Sequence, residues 1–223
     1  MTPRSRDEVA LPNELRVLLP ASTAETWTRI APLVPPSAYL AGGTGLTVHL
    51  HHRVSRDLDF MLAADEDLER LRVELSRAGK VVVTRQEPGT LNLVIDETRV
   101  QFLRAADQRL LRPTSTVGGV AVASVEDITA MKLKVIVDRG ELRDYYDLME
   151  IDRRGVVPVE EGVALLLEKY MVRDPDLLVV TIVRALGYLG DVADDPALPS
   201  SRPEIERYWA RRQPELAAHL ARS

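Results

Sequence analysis

The segment from Leu40 to Phe60, LAGGTGLTVHLHHRVSRDLDF, constrains the fold of this chain more than any other. Its glycine turn, Gly42-Gly43-Thr44, follows a short apolar run (38–41) of the kind that forms a buried strand. Residues 44–52 suit a helix of about two to three turns, and 57–62 reads as a second strand. On that strand Asp57 and Asp59 stand two apart, so both side chains project to one face while Leu58 and Phe60 turn to the other. Paired carboxylates repel each other unless a cation sits between them, and hard divalent cations such as Mg²⁺ favour oxygen donors. The glycines permit close backbone approach to a phosphate, and a helix opening at Thr44 presents N–H donors to an anion. Together these parts make a site for a metal-bound triphosphate. A Gly-Gly turn alone is common, and two acids on a strand are often a solvated edge. Their order and spacing carry the reading.

The rest of the chain sorts into two parts. Its 223 residues suffice for one large domain or two small ones. Residues 1–14 read as a loose arm. Ser22-Thr23-Ala24-Glu25 matches a capping box and predicts a helix ending before Pro35-Pro36. Leu68, Leu71 and Leu75 mark an amphipathic helix over 65–78 with Gly79 as its C-cap. A strand follows at 80–85, then a turn at Pro88-Gly89. A hairpin of 90–95 and 98–103 turns at Asp96-Glu97, and Gly118-Gly119 leads into a strand at 120–123. From Ser124 onward the pattern is helical: 125–138, 143–152, 159–171, 175–189 and 203–222, with a loop over 191–202. The expectation is an α+β fold, with a mixed α/β half (1–123) and a helical half (124–223).

Composition excludes some classes and leaves others open. No run approaches the roughly 18 apolar residues needed to span a bilayer, and the N-terminus lacks a signal peptide's apolar core. Cysteine is absent, which removes disulfides and thiolate zinc sites. A cytoplasmic location is expected. The net charge of −5 argues against a surface coated in positive charge, although clustered arginines still permit a local basic groove. Aromatic residues make up only 4%, so no stacking platform for single-stranded nucleic acid is visible.

Within the helical half, Val125, Ile128, Met131, Val135 and Ile136 form an apolar stripe, and Lys132 falls inside it. Lysine is rarely buried without a partner. Lys132 either snorkels out along its stem or meets a triphosphate as a point charge. Lys134 falls on the opposite side, near Asp127 and Asp138, as a solvated residue. In RDYYDLMEID, Asp144 shares a face with Leu148 and Ile151, and Asp147 lies at its edge. Each is either a first-turn charge that suits the helix dipole or a third carboxylate for the site. His49, His51 and His52 offer no evident third metal ligand and read as polar residues near the cleft mouth.

GGTGL, then HRVSRDLDF, then MKLKVIVDRGELRDYYDL resembles the AbiEii/AbiGii family of nucleotidyltransferase toxins, which includes the mycobacterial MenT toxins. The likeness covers roughly residues 38–152. The first motif alone would indicate only the wider DNA polymerase β-like nucleotidyltransferase superfamily. The resemblance implies a minimal nucleotidyltransferase sheet with flanking helices, followed by a helical C-terminal region. It implies transfer of a nucleotide from an NTP, with Mg²⁺ or Mn²⁺, to an acceptor such as the 3′ end of tRNA. It also implies a cognate antitoxin, and the lack of an apolar span makes a membrane partner unexpected. Carried over residue by residue, Gly42, Gly43 and Thr44 match the phosphate-binding turn, and Asp57 and Asp59 match the metal pair. Lys132 matches the lysine near the phosphates, and Asp144 and Asp147 match the acids of RDxxDL, one of them assisting catalysis. Ser55 matches a position phosphorylated in some relatives to silence the toxin, and Arg53 adds charge near the triphosphate. One departure is plain: the later strand that carries a third aspartate in many of these enzymes reads TRVQFLR here, with Gln101 in that place. Alternatives are transfer to a small molecule of the aminoglycoside kind, transfer to a protein, or a catalytically dead binding module such as an antitoxin.

Overall fold

A computed structural model describes residues 10–222. The chain divides into two compact units, Met1–Gln108 with Pro113–Ser124 and Arg109–Arg112 with Val125–Ser223. Residues 1–9 of the expected loose arm lie outside the described residues. Its remainder enters a one-turn helix, α1 (Asn13–Arg16), held by the buried Leu15.

The first unit is built on β1 (Ala38–Leu40), β2 (Leu58–Leu62), β3 (Val81–Glu87), β4 (Thr90–Ile95), β5 (Thr98–Arg104), β6 (Ser115–Val117) and β7 (Val120–Val122). They form one mixed sheet in the order β3-β4-β5-β2-β1-β7-β6. The β1–β7 and β2–β5 neighbours are parallel and the remaining pairs antiparallel. Strand alternation gives the sheet an apolar face. Phe60 stacks on Phe102 with ring centroids 4.9 Å apart, and Leu58, Val100, Leu91 and Leu93 are buried with them. Helices α2 (Ala21–Ile30) and α4 (Leu68–Leu75) add Trp27, Ile30, Leu71 and Leu75 to the same core. Another helix, α3 (Gly42–Leu50), connects β1 to β2.

Several local expectations shift. The capping box at Ser22–Glu25 does not form. Pro20 precedes α2 with no side-chain cap, so Ser22 and Thr23 fall within the first turn, and the Thr23 hydroxyl donates to the Arg56 carbonyl at 3.0 Å. α4 begins only after Asp67, which accepts from Arg70 N, and ends at Ser76, leaving Gly79 beyond the cap. The strand β6 had no sequence signal except the glycine pair after it. Gly118 and Gly119, at φ of 53° and 76°, turn β6 directly into β7.

The second unit comprises α5 (Val125–Arg139), α6 (Leu142–Arg153), α7 (Val159–Lys169), α8 (Pro175–Gly187) and α9 (Arg202–Leu220). The Trp209 indole donates to the Tyr145 carbonyl at 3.1 Å and fixes α9 against α6. Asp152 on α6 receives Tyr208 at 2.6 Å and Arg212 at 2.9 Å, both from α9. Lys134 is exposed and pairs with Asp138 at 2.8 Å, but Asp127 is fully buried instead of lining the surface beside it. Its carboxylate meets Lys169 Nζ at 2.7 Å and accepts from the backbone N–H groups of Leu111 and Arg112. Lys169 also donates to the Arg109 carbonyl at 3.0 Å. This buried pair explains why residues 109–112 belong to the helical unit. No helix among the described residues is long and apolar enough to cross a membrane.

Candidate active site

The first unit brings the glycine turn and the acid strand together. β1 ends at Leu40, and the Ala41 N–H donates to the Asp59 carbonyl at 2.8 Å, which locks the turn beside the acid strand. The helix opens at Gly42, two residues earlier than the sequence suggested. Gly42 has φ +62°, a left-handed conformation open to glycine. Ala41 at the N-cap has no side-chain oxygen to offer the N–H groups of the first turn. With three glycines in its first four residues, α3 has little intrinsic helicity and depends on tertiary contacts. The Thr47 hydroxyl donates to the Arg53 carbonyl at 3.1 Å, and the His49 ring nitrogen lies 2.7 Å from the Ala123 carbonyl. His51 ends the helix at φ 49°, and His52 is buried. Two of the three histidines thus anchor or terminate α3, and the third is buried.

The Asp59 carboxylate and the Asp57 backbone sit directly against this turn. Asp59 lies within β2, whereas Asp57 precedes it, and both are half-buried. A Cβ added to Gly42 would fall inside 3.0 Å of the Asp59 Oδ2 atom, and 3.1 Å from Asp59 Cγ. One carboxylate therefore occupies the space that glycine leaves. A Cβ on Gly43 would lie 2.5 Å from Arg53 Nη2 and 3.1 Å from Ser55 Oγ. Arg53 and Ser55 are both buried, so a guanidinium and a hydroxyl fill the second glycine's space. The Thr44 hydroxyl is buried too. It lies 2.8 Å from Ser55 Oγ and also contacts the Asp57 carbonyl, so it buttresses the turn from inside. The anion-facing part of the turn is consequently its backbone. Ser55 lies beneath it, where a modifying enzyme reaches it only if the turn opens.

A hard carboxylate, Asp59, beside the opening N–H groups of a helix, with Asp57 two residues away as a second candidate ligand, fits a divalent cation that also binds phosphate oxygens. Among the described residues no group of three or more His, Asp or Glu side chains gathers as a metal site. The register explains part of this. Gln101 on β5 is the direct neighbour of Asp59, and Asn92 on β4 is the neighbour of Gln101. Where a third acid would extend the pair across the sheet, the chain has amides. Sequence reasoning found Gln101 but missed Asn92, although the hairpin register through Asp96-Glu97 would have located it.

The second unit holds the other expected residues. Lys132 Nζ lies 2.8 Å from Asp144 Oδ1 and 2.7 Å from Asp147 Oδ2. The lysine is buried within its stripe and does not snorkel, and Asp147 is fully buried. Asp144 also accepts from Glu141 N at 3.0 Å, so it caps α6 as well as pairing. Burial pushes the neighbouring Tyr145 and Tyr146 hydroxyls up to about 12, so both stay neutral donors.

The model of the family described as nucleotidyl transferase AbiEii toxin, type IV toxin–antitoxin system, matches residues 28–222. An uncharacterized protein of Aquifex aeolicus (strain VF5), aq_aa25, is 29% identical over 174 residues, covering 77% of this chain and 80% of the relative. MenT4, a nucleotidyltransferase toxin of Mycobacterium tuberculosis H37Rv, superposes with TM-score 0.57 at 18% identity over 96% of this chain and 90% of MenT4. JHP933 from Helicobacter pylori superposes with TM-score 0.51 at 16% identity, covering 99% and 96%. At these identities the two structures speak for the fold alone.

Proposed function

This chain belongs to the AbiEii family of nucleotidyltransferase toxins and is a nucleotidyltransferase. From that premise we propose that it transfers a nucleoside monophosphate from an NTP to the 3′ end of tRNA in the cytoplasm, using Mg²⁺ or Mn²⁺. The observation that carries this reading is the Asp59 carboxylate lodged in the space beside Gly42, at the start of α3.

The chemistry follows from the charges. The N–H groups of Gly42, Gly43 and Thr44 hold the β- and γ-phosphates, and Arg53 beside Gly43 neutralises charge that builds on the departing pyrophosphate. The Thr44 hydroxyl keeps the Asp57 backbone in place so that both carboxylates face one point. Asp57 and Asp59 would hold the divalent ion, which supplies charge neutralisation and a lowered pKa for the attacking hydroxyl. That hydroxyl, the acceptor's 3′-OH, attacks the α-phosphorus in line with the leaving pyrophosphate. Lys132, Asp144 and Asp147 enter through the family resemblance, Lys132 as a cation for the phosphates and one of the acids as an assistant to catalysis. Phosphorylation of Ser55 would place a charge of about −2 beside Gly43 and compete with the triphosphate for Arg53. A cognate antitoxin is the partner that family membership implies.

The test is transfer of label from each α-labelled NTP to total tRNA by the purified protein. Asp57→Ala is expected to abolish labelling while the melting curve is retained. Label that appears on protein or on a small molecule, with RNA blank, would replace the tRNA assignment. Undiminished labelling by Asp57→Ala would overturn the site.

A further inference from the structure

The sheet row that contains Asp59 continues across the first unit as a row of polar side chains. Asp59 on β2 neighbours Gln101 on β5, Gln101 neighbours Asn92 on β4, and Asn92 neighbours Arg85 on β3. The adjacent row runs Phe60, Phe102, Leu91 and is fully buried, so strand alternation puts the polar row on the opposite face. Asp59, Gln101 and Asn92 are half-buried and Arg85 is exposed. Strands lie about 4.8 Å apart, which sets Gln101 about 5 Å and Asn92 about 10 Å from Asp59 along the sheet.

Two neutral amides serve a hard cation less well than carboxylates do, and a phosphate less well than a cationic side chain does. An amide both donates and accepts hydrogen bonds, which matches ribose hydroxyls and base edges. Asn92 adds a second observation. Its Oδ1 is buried and has no hydrogen-bond partner, an arrangement that costs free energy unless a donor arrives.

Direction decides which substrate supplies that donor. The inference rests on the reading above, in which the triphosphate lies on the glycine turn. That turn flanks β2 on its β1 side. In-line displacement requires the attacking oxygen to approach opposite the leaving pyrophosphate. Opposite means the β5 and β4 side. We propose that Gln101 and Asn92 form the acceptor subsite, hydrogen-bonding the hydroxyls and base edge of an RNA 3′-terminal nucleotide, with Arg85 positioned for its backbone phosphate. The reaction itself is unchanged: the acceptor's 3′ oxygen bonds to the α-phosphorus, the bond to pyrophosphate breaks, and the hydroxyl proton leaves to solvent.

The experiment compares Gln101→Met and Asn92→Leu, which keep side-chain volume, with the wild-type protein. Steady-state transfer from an α-labelled NTP to total tRNA gives KM for each substrate. Fluorescence binding of a 3′-deoxy-terminated RNA, which cannot react, reads the subsite without turnover. Each variant is expected to raise KM for tRNA and weaken RNA binding by about 3- to 10-fold, the worth of one or two neutral hydrogen bonds. KM for NTP should stay within about twofold, since one hydrogen bond to NTP would move it by more. If either variant fails to fold by its melting curve, Gln101→Ala and Asn92→Ala replace it. Unchanged RNA binding in both positions overturns the subsite, as does a shift in KM for NTP instead of tRNA. A wild-type protein that labels no RNA overturns the underlying reading, a result distinct from normal labelling with insensitive variants.

Discussion

Gly42→Ala separates the geometry of the proposed centre from its stability. A methyl group at Gly42 meets two penalties. The residue sits at φ +62°, where a side chain costs about 1 kcal/mol or slightly more. The new Cβ would also fall inside 3.0 Å of Asp59 Oδ2, with Asp59 Cγ at 3.1 Å and Cβ at 3.2 Å. Neither backbone can yield cheaply, because Ala41 N–H is bonded to the Asp59 carbonyl. The carboxylate must therefore swing away by roughly 1 Å, a misplacement that costs about 100-fold in rate. The stability loss of about 1–2 kcal/mol lowers Tm by only about 2–8 °C in a chain of this size. Gly43→Ala is the control. Its φ is not positive, and the atom its Cβ would crowd is the flexible tip of Arg53 at 2.5 Å, which can move aside. The expectation is that Gly42→Ala loses about 100-fold in nucleotide transfer at saturating Mg²⁺ while Gly43→Ala loses about tenfold or less, with both folded by circular dichroism. Transfer by Gly42→Ala within threefold of wild type would refute the claim that Asp59 must sit in the glycine's space.

Other expectations concern the scaffold. Lys169→Met leaves Asp127 buried without its ammonium and is expected to cost about 3–5 kcal/mol, seen as a Tm drop of about 10 °C. Thr44→Val removes the hydroxyl that meets Ser55 and the Asp57 carbonyl. A loss of about 1–3 kcal/mol in chemical denaturation should accompany slower transfer. Lys132→Met removes the cation between Asp144 and Asp147 and should lower stability by about 3 kcal/mol or more. A variant that melts normally yet loses transfer would instead support direct contact with phosphate. Burial raises the Glu160 carboxyl, but the hydrogen bonds from Arg212 and from its own backbone N–H, together with the charges of Arg212 and His219, hold the group below its ordinary value. A depressed carboxylate stabilises the fold above its unfolded pKa, and that contribution disappears as pH falls through the lower folded value. The Tm gap between wild type and Glu160→Gln should therefore close as pH drops below about 4.5.

Much of the fold was legible because it depends on local pattern. The hairpin of β4 and β5 followed from alternation around Asp96-Glu97, and the helical second half followed from apolar spacing. Where the reading slipped, a tertiary partner decided. Asp127 reads as a surface acid by helical position, yet it is buried because Lys169, 42 residues away, neutralises it. β6 has too little apolar pattern to announce itself and exists because β7 pairs with it. The same division runs through the candidate site. Order and spacing alone determined that a glycine turn would precede the segment carrying Asp57 and Asp59, since turn chemistry is local, but only Asp59 lies within the strand. Only the folded chain decided that Asp59 fills the space beside Gly42, that Thr44 points inward, and that Gln101 and Asn92 extend the row. Those facts depend on which strands become neighbours and in what register, and register is set by hydrogen bonds between segments far apart in sequence.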